Sequence, residues 1–273
     1  MATPLGRRLN RTAIIVGIVA AMGVGLPWRA DAQWERRLPP GTPLTADGLP
    51  DLDAPAPRTA DDHPDLSGLW ETYSESRGDR PLLLLDLAAG LEPGTVPFQP
   101  WAEALRNERM AENSKDHPGV RCLPSGFPEK NFVPAPYKIL HMPGLIVFLY
   151  ESRTIYRQVF MDGRPHPADP NPAWQGYSIG RWEGDTLVVE TTGFNGLAWL
   201  DMSGHPATDA LRVTERFTRR DFGHMDLRIT IDDPKAYTRP WTVSADVRLL
   251  PDDELIEHIC QENNRDLAHM VGR

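Results

Sequence analysis

Glu215 carries the strongest chemical claim in this sequence because of the residues around it. Leu211, Val213 and Phe217 recur at every second position, and Glu215 falls on their side of the run. In extended chain, residues two apart share a face. An ionised carboxylate on an apolar face is costly unless it is paired. Two arginines pose the matching problem: Arg157 lies among Ile155, Val159 and Met161, and Arg181 shares a face with Tyr177 and Ile179. The pattern predicts an interior ion pair between Glu215 and either Arg157 or Arg181. Such a carboxyl can act as acid or base, such an arginine can grip a ligand's carboxylate or carbonyl, and the pair can equally brace the fold.

A second concentration of polar groups falls on loops. Asp162-Gly163-Arg164-Pro165-His166-Pro167 follows one apolar run, and Asn195, Trp199, Asp201, Gly204 and His205 occupy the connection before Leu211. Loops at one mouth of a β scaffold commonly hold working groups. Asp201 and His205 are spaced so that the carboxylate can orient the imidazole, and His166 is a further base candidate. The catalytic candidates are therefore Glu215, His205, Asp201 and His166. Arg157, Arg181, Tyr156, Trp182 and Trp199 are the candidates for ligand contact. A metal held by His166, Asp201 and His205 is not demanded by their spacing, and none is assigned.

Other chemical signatures are missing or lack their context. Gly176-Tyr177-Ser178-Ile179-Gly180 has the form of a nucleophile elbow, but that motif needs a strand-to-helix turn, and Arg181-Trp182-Glu183-Gly184-Asp185-Thr186 leads into another strand. Neither H-E-x-x-H nor C-x-x-C occurs, and no glycine loop is shaped to cradle phosphate. No cofactor is implied.

The elements that must position these groups are strands. Runs at Leu66–Glu71, Tyr137–Met142, Leu145–Glu151, Thr154–Met161, Tyr177–Trp182, Thr186–Thr191, Leu211–Arg220, Met225–Ile231, Trp241–Leu249 and Glu254–Cys260 are divided by turn sequences such as Pro143-Gly144, Glu183-Gly184-Asp185 and Pro251-Asp252-Asp253. Met225, Leu227, Ile229 and Ile231 form one face, as do Trp241, Val243, Ala245, Val247 and Leu249. One helix is predicted, from Trp101 to about Asn113, opened by Pro100. So many short strands must bury their faces on one another, and closing the sheet removes its edges. The expected fold class is all-β: an antiparallel up-and-down barrel of about eight to ten strands, with the helix in a lid or belt segment.

The flanking sequence concerns export. Arg7, Arg8 and Arg11 precede an apolar run from Thr12 to Leu26, and Ala30-Asp31-Ala32 supplies a small-x-small cleavage pattern. The apolar run is shorter than the ~20 residues of a membrane span. Residues 1–32 read as a signal peptide, 33–64 as a Pro-rich linker or arm, and 65–273 as one barrel domain with a helix-containing insertion at 73–136. Cleavage removes four Arg and one Asp, a net +3, and takes the formal charge from −9 to −12. So acidic a chain repels nucleic acid and anionic membranes, and no stable anchor remains after cleavage. In the oxidising periplasm or outside the cell, Cys122 and Cys260 are expected to form a disulfide.

The run from Asp162 to His166, the segment from Gly180 to Asn195 (GRWEGDTLVVETTGFN) and that from Thr230 to Trp241 (TIDDPKAYTRPW) resemble a widespread family of exported bacterial proteins, over most of the chain beyond Asp65. That resemblance brings no activity with it. Gly68-Leu69-Trp70 is similar to the G-x-W signature of lipocalins, whose barrels hold apolar small molecules and in some members isomerise or cyclise them. The expectation is a lipocalin-like barrel binding a small, largely hydrophobic molecule in its interior. The alternative is an acid-base isomerase, lyase or hydrolase acting on a small organic substrate in the same barrel.

Overall fold

In the computed structural model the described residues are 38–73, 86–89, 91–92, 94–133 and 135–262. The expected signal peptide, 1–32, lies outside them. Nine strands follow one another around a single closed barrel: β1 (Gly68–Tyr73), β2 (Tyr137–Met142), β3 (Leu145–Tyr150), β4 (Ile155–Phe160), β5 (Tyr177–Glu183), β6 (Thr186–Thr192), β7 (Arg212–Arg219), β8 (His224–Asp232) and β9 (Trp241–Leu249). Trp70 opposite Leu249 and Tyr73 opposite Asp246 close the ring between β1 and β9. The helix is α1 (Pro100–Ala111), with proline in its first turn and Ala102 buried.

Closure with nine strands imposes a constraint that the expected antiparallel meander did not include. Each antiparallel neighbour reverses strand direction, and a closed ring must reverse an even number of times. One seam must therefore be parallel, and it is β4–β5, joined only through Val159 opposite Ser178 and Phe160 opposite Ile179. The connection 161–176 carries the chain from one rim to the other. The rim where β5 begins is also where β1 ends and β2 begins, and it holds the long connections 193–211 and 233–240, whereas the opposite rim holds the tight turns 143–144 and 184–185.

The inward faces of β8 and β9 match their alternation: Met225, Leu227, Ile229, Ile231, Trp241, Val243, Val247 and Leu249 are buried. The lumen is filled by side chains. Tyr137 lies 5.6 Å from Tyr150 and 6.0 Å from Phe148 between ring centroids, and Phe148 lies 5.6 Å from Phe217. A barrel of about eight strands has an interior just wide enough for its own side chains, and the ninth strand here makes room for a polar cluster.

Both rims are covered. The Pro-rich arm expected as a linker folds across the tight-turn rim, where Gly223 and Phe222 donate backbone hydrogen bonds to Leu52 and Ala54 (both 2.7 Å). Arg58 pairs with Asp185 at 2.8 Å and His63 stacks on Trp182 at 4.6 Å. Buried Arg219 donates to the Asp65 and Phe222 carbonyls beneath the Trp70 ring, and burial lowers its pKa to about 10. At the long-loop rim, residues 122–133 form a plug. Gly126 presses so closely on residue 199 that a Cβ would sit 1.9 Å from the Trp199 carbonyl oxygen.

The expected strand at Glu254–Cys260 is not one. Once β9 has paired with β1 there is no free edge for it to join. This tail instead runs beside the β3–β4 connection, with Arg153 N–H donating to His258 Nδ1 at 3.0 Å, and Cys260 is disulfide-bonded to Cys122 of the plug. The link closes a loop of 138 residues. Replacing both cysteines by serine is expected to reduce the unfolding free energy by about 2–5 kcal/mol. The drop would be read from the urea midpoint at unchanged slope.

Candidate functional site

Arg157 reaches across the inner wall of the barrel from β4 to β7. The strands in between, β5 and β6, contribute small hydroxyl side chains at that level, and these both make room for the arginine and accept from it. Its Nε donates to Ser178 Oγ at 2.9 Å, its Nη2 lies 3.5 Å from Thr191 Oγ1, and Nη2 also forms a short charge-assisted hydrogen bond with Glu215 Oε2. Glu215 is fully buried and Arg157 is 3% exposed. The second Glu215 oxygen accepts from Asn131 Nδ2 at 2.8 Å, and Asn131 Oδ1 accepts in turn from the Tyr150 hydroxyl at 3.2 Å. The guanidinium carbon stands 4.5 Å from the Phe127 ring centroid and 5.2 Å from that of Phe148.

Burial by itself would favour loss of the Arg157 proton. The Glu215 charge and Tyr150 more than offset it and hold the arginine's pKa above its ordinary value. Burial raises Tyr150 to about 12, so its hydroxyl keeps its proton and donates. Both Glu215 oxygens are occupied as acceptors, an arrangement that suits a fixed negative charge better than a proton shuttle.

The parallel seam gives this cluster a cleft. Because β4 and β5 share only two register pairs, their walls part into a cleft of about 430 Å³ lined by Tyr156, Arg157, Trp174, Gln175, Tyr177 and Ser178. Arg157 and Gln175 are buried. Arg157 Nη1 and Gln175 Oε1 make no hydrogen bond of ordinary length and are themselves sealed from solvent, with the Tyr150 hydroxyl interacting with the guanidinium. The Gln175 amide is oriented by its Nε2, which donates to the Ser125 carbonyl at 3.1 Å, so its free atom is the acceptor.

The remaining sequence candidates do not converge on this cluster. Arg181 was expected inside, but the inward face of β5 is Ser178, Gly180 and Trp182. Arg181 lies outside, bonded to Glu183 at 2.9 Å and Glu190 at 2.6 Å. Tyr156 is 65% exposed and stands on the outer side of β4 at the cleft. Trp182 closes the tight-turn rim on His63, and Trp199 is buried under Arg109 at 4.0 Å. His166 sits on the crossing connection, its Nδ1 3.2 Å from Thr192 Oγ1, with burial holding its pKa below the usual histidine value. It lines a separate groove with Phe194 and Leu211.

Asp201 and His205 meet, at 2.7 Å between Oδ2 and Nδ1. Asp201 also accepts from the Leu87 and His205 backbone N–H groups (2.8 and 3.1 Å) and from Ser203 Oγ. A carboxylate holding this many donors organises its loop. His205 stacks on Phe98 at 5.3 Å. Asp86 brings a third group, so that one ligand atom each from Asp86, Asp201 and His205 lies within 4.8 Å of the others, as do those of Asp53, Asp221 and His224 at the tight-turn rim.

Sequence reasoning missed Asn131, Thr191, Gln175 and the plug's buried turn Glu129–Asn131. Within that turn Glu129 faces His117 Nε2 at 3.2 Å. Lys130 donates to the Ser152 carbonyl, and burial, then Arg153, lower its pKa to about 7.

Two tests follow from this geometry. Glu215→Leu strands a buried guanidinium and is expected to cost about 3–5 kcal/mol, whereas Arg157→Met/Glu215→Leu recovers most of that loss. Urea titrations of both variants measure the difference. Lys130 gives a pH dependence. Between about pH 7 and its ordinary value of 10.5 the unfolded chain holds a proton that the folded chain has released, so stability rises with pH across that window and is lowest below it. The urea midpoint should climb from pH 7 to about 9.5 in the native protein and stay level in Lys130→Met.

Comparison with protein-family models, curated proteins and solved structures finds no match to this chain, so the functional reading rests on the residues themselves.

Proposed function

We propose that this protein is a lipocalin-like barrel working outside the cytoplasm, where it binds a small, largely hydrophobic molecule at the β4–β5 cleft through Arg157. One observation carries the reading: the parallel seam opens a concave cleft of about 430 Å³ that has the buried polar residues Arg157, Gln175 and Ser178 in its lining. Ligand sites are typically concave, mostly apolar and supplied with a few polar groups that fix orientation, in volumes of roughly 300–1,000 Å³. Tyr156, Trp174 and Tyr177 supply the aromatic part of the lining.

The filled lumen moves the expected ligand from the barrel axis to its wall. The Cys122–Cys260 disulfide fits an oxidising compartment, and among the described residues no helix is long and apolar enough to cross a membrane. The acid-base alternative draws less support, because Glu215 has both oxygens engaged and Asp201 is held by the backbone N–H groups of Leu87 and His205.

Native mass spectrometry of protein purified from its own cell envelope tests the proposal. The expected spectrum shows a small molecule released on gentle activation. That adduct should be absent from Gln175→Leu and from Arg157→Met/Glu215→Leu, both checked for fold by circular dichroism. A bare native protein, or an adduct retained in both variants, contradicts it.

A further inference from the structure

We infer that the occupant of the β4–β5 cleft is a short, apolar, extended peptide, added as a strand to an open edge of β4 and read through its main chain. The inference rests on the reading of the cleft as a binding site and names the class of molecule bound there.

The open edge follows from register. Met161 N–H donates to the Gly144 carbonyl at 3.0 Å, which continues the β3–β4 pairing and turns the odd-numbered residues of β4 toward β3. Backbone groups alternate between the two sides of a strand, so those of Tyr156, Gln158 and Phe160 point at β5. Only Val159 with Ser178 and Phe160 with Ile179 are paired there. Parallel pairing at these two positions engages Phe160 and the Gln158 carbonyl. The Tyr156 N–H, the Tyr156 carbonyl and the Gln158 N–H are left off the ladder. Tyr156 is 65% exposed, Gln158 is exposed too, and both line the cleft.

The chain entering β5 is tied down where it cannot close this gap. Continued in the same register, Gln175 would come opposite Tyr156. Instead Gly176 turns the backbone away at φ +63°, and a Cβ there would lie 2.7 Å from the Thr192 carbonyl oxygen. Ala173 N–H is bonded to the Gly193 carbonyl at 3.0 Å, and the Gln175 side-chain amide to the Ser125 carbonyl at 3.1 Å. The segment before β5 therefore follows the exit of β6 and the plug.

Backbone groups left unpaired at an accessible edge are a template for another strand. Here donor, acceptor and donor fall within about 7 Å, the rise of two residues. An extended peptide of three residues offers the complementary acceptor, donor and acceptor, whereas a hydrocarbon or a simple ketone does not. The pleat then sets the side chains. The peptide residue level with buried Arg157 points into a filled lumen and must be small. Its two neighbours point outward beside Tyr156 and Tyr177, which suits apolar or aromatic residues.

The test uses the full oxidised protein labelled with nitrogen-15 at neutral pH, with amide hydrogen exchange followed residue by residue. The probes are acetyl-Val-Ala-Tyr-amide, the same peptide N-methylated at every amide, acetyl-Val-Trp-Tyr-amide and toluene. In the free protein the Tyr156 and Gln158 amides should exchange fast, and those of Arg157 and Val159, bonded to β3, slowly. Acetyl-Val-Ala-Tyr-amide is expected to bind with a Kd of about 0.1 mM and, at saturation, to slow exchange at Tyr156 and Gln158 about tenfold. Each altered peptide should bind about tenfold more weakly. Slow exchange at Tyr156 and Gln158 in the free protein would mean a closed edge and overturn the inference. So would equal binding of the methylated peptide, which would remove main-chain recognition, and equal binding of the Trp peptide would remove the small inward position. If toluene shifts the Trp174 indole N–H and no peptide does, the peptide class is wrong while the cleft remains a binding site. If no probe shifts any of these signals, both this inference and the binding reading fall.

Discussion

The pairing of Arg157 with Glu215 inside the barrel is the interaction on which the rest of the structure depends. Two charges withdrawn from water repay their desolvation only if each meets the other in good geometry and their remaining hydrogen-bonding capacity is met as well. That requirement extends outward from the pair. It needs the small hydroxyls Ser178 and Thr191 on the strands that Arg157 crosses, and Tyr150 and Phe148 on β3. It also needs Asn131, which no strand supplies. Asn131 comes from the plug, so the plug must be held in place, and the Cys122–Cys260 link and the Lys130 bond to Ser152 do this. Residues 122–133 are in this sense part of the barrel's interior.

Parity of the strand count supplies the second constraint. A nine-stranded closed barrel cannot be antiparallel throughout, and the seam that absorbs the mismatch is β4–β5. Two register pairs hold it, so the wall parts beside the arginine that β4 carries inward. The same topological necessity that sends residues 161–176 from rim to rim thus gives the buried charge pair a lateral approach. A filled lumen and a binding site are compatible because the site lies in the wall.

Much of this was legible in the sequence, for identifiable reasons. Strict alternation on β4, β7, β8 and β9 revealed their inward faces, and with them the anomaly of Arg157 and Glu215. Two cysteines in a chain read as exported were enough to suggest the disulfide. The failures are equally specific. Arg181 was misassigned because Tyr177 and Ile179 look like core. On β5 Tyr177 and Ile179 face outward, with Tyr177 covered by Phe160 at 5.2 Å, while the inward positions Ser178 and Gly180 are small because Arg157, Val159 and Met161 fill the space before them. A Cβ on Gly180 would lie 2.4 Å from Met161 Sδ. Glu254–Cys260 has the composition of a strand but no edge to join. Asn131 and Gln175 lie in connections without periodicity, where only the folded chain reveals a partner. Ser178 was noticed in a nucleophile-elbow pattern that its context did not support, and its hydroxyl serves instead as an acceptor for the arginine.

The central claim is that Glu215 engages Arg157 permanently beside a wall cleft that takes a small molecule. A crystal structure near 1 Å resolution of protein taken from its native source addresses this most directly. The account predicts density for a small molecule in the β4–β5 cleft, with the Arg157–Glu215 contact intact. An Arg157 swung away from Glu215, or a Gln175 turned so that its own oxygen caps Nη1 across a closed seam, would contradict it.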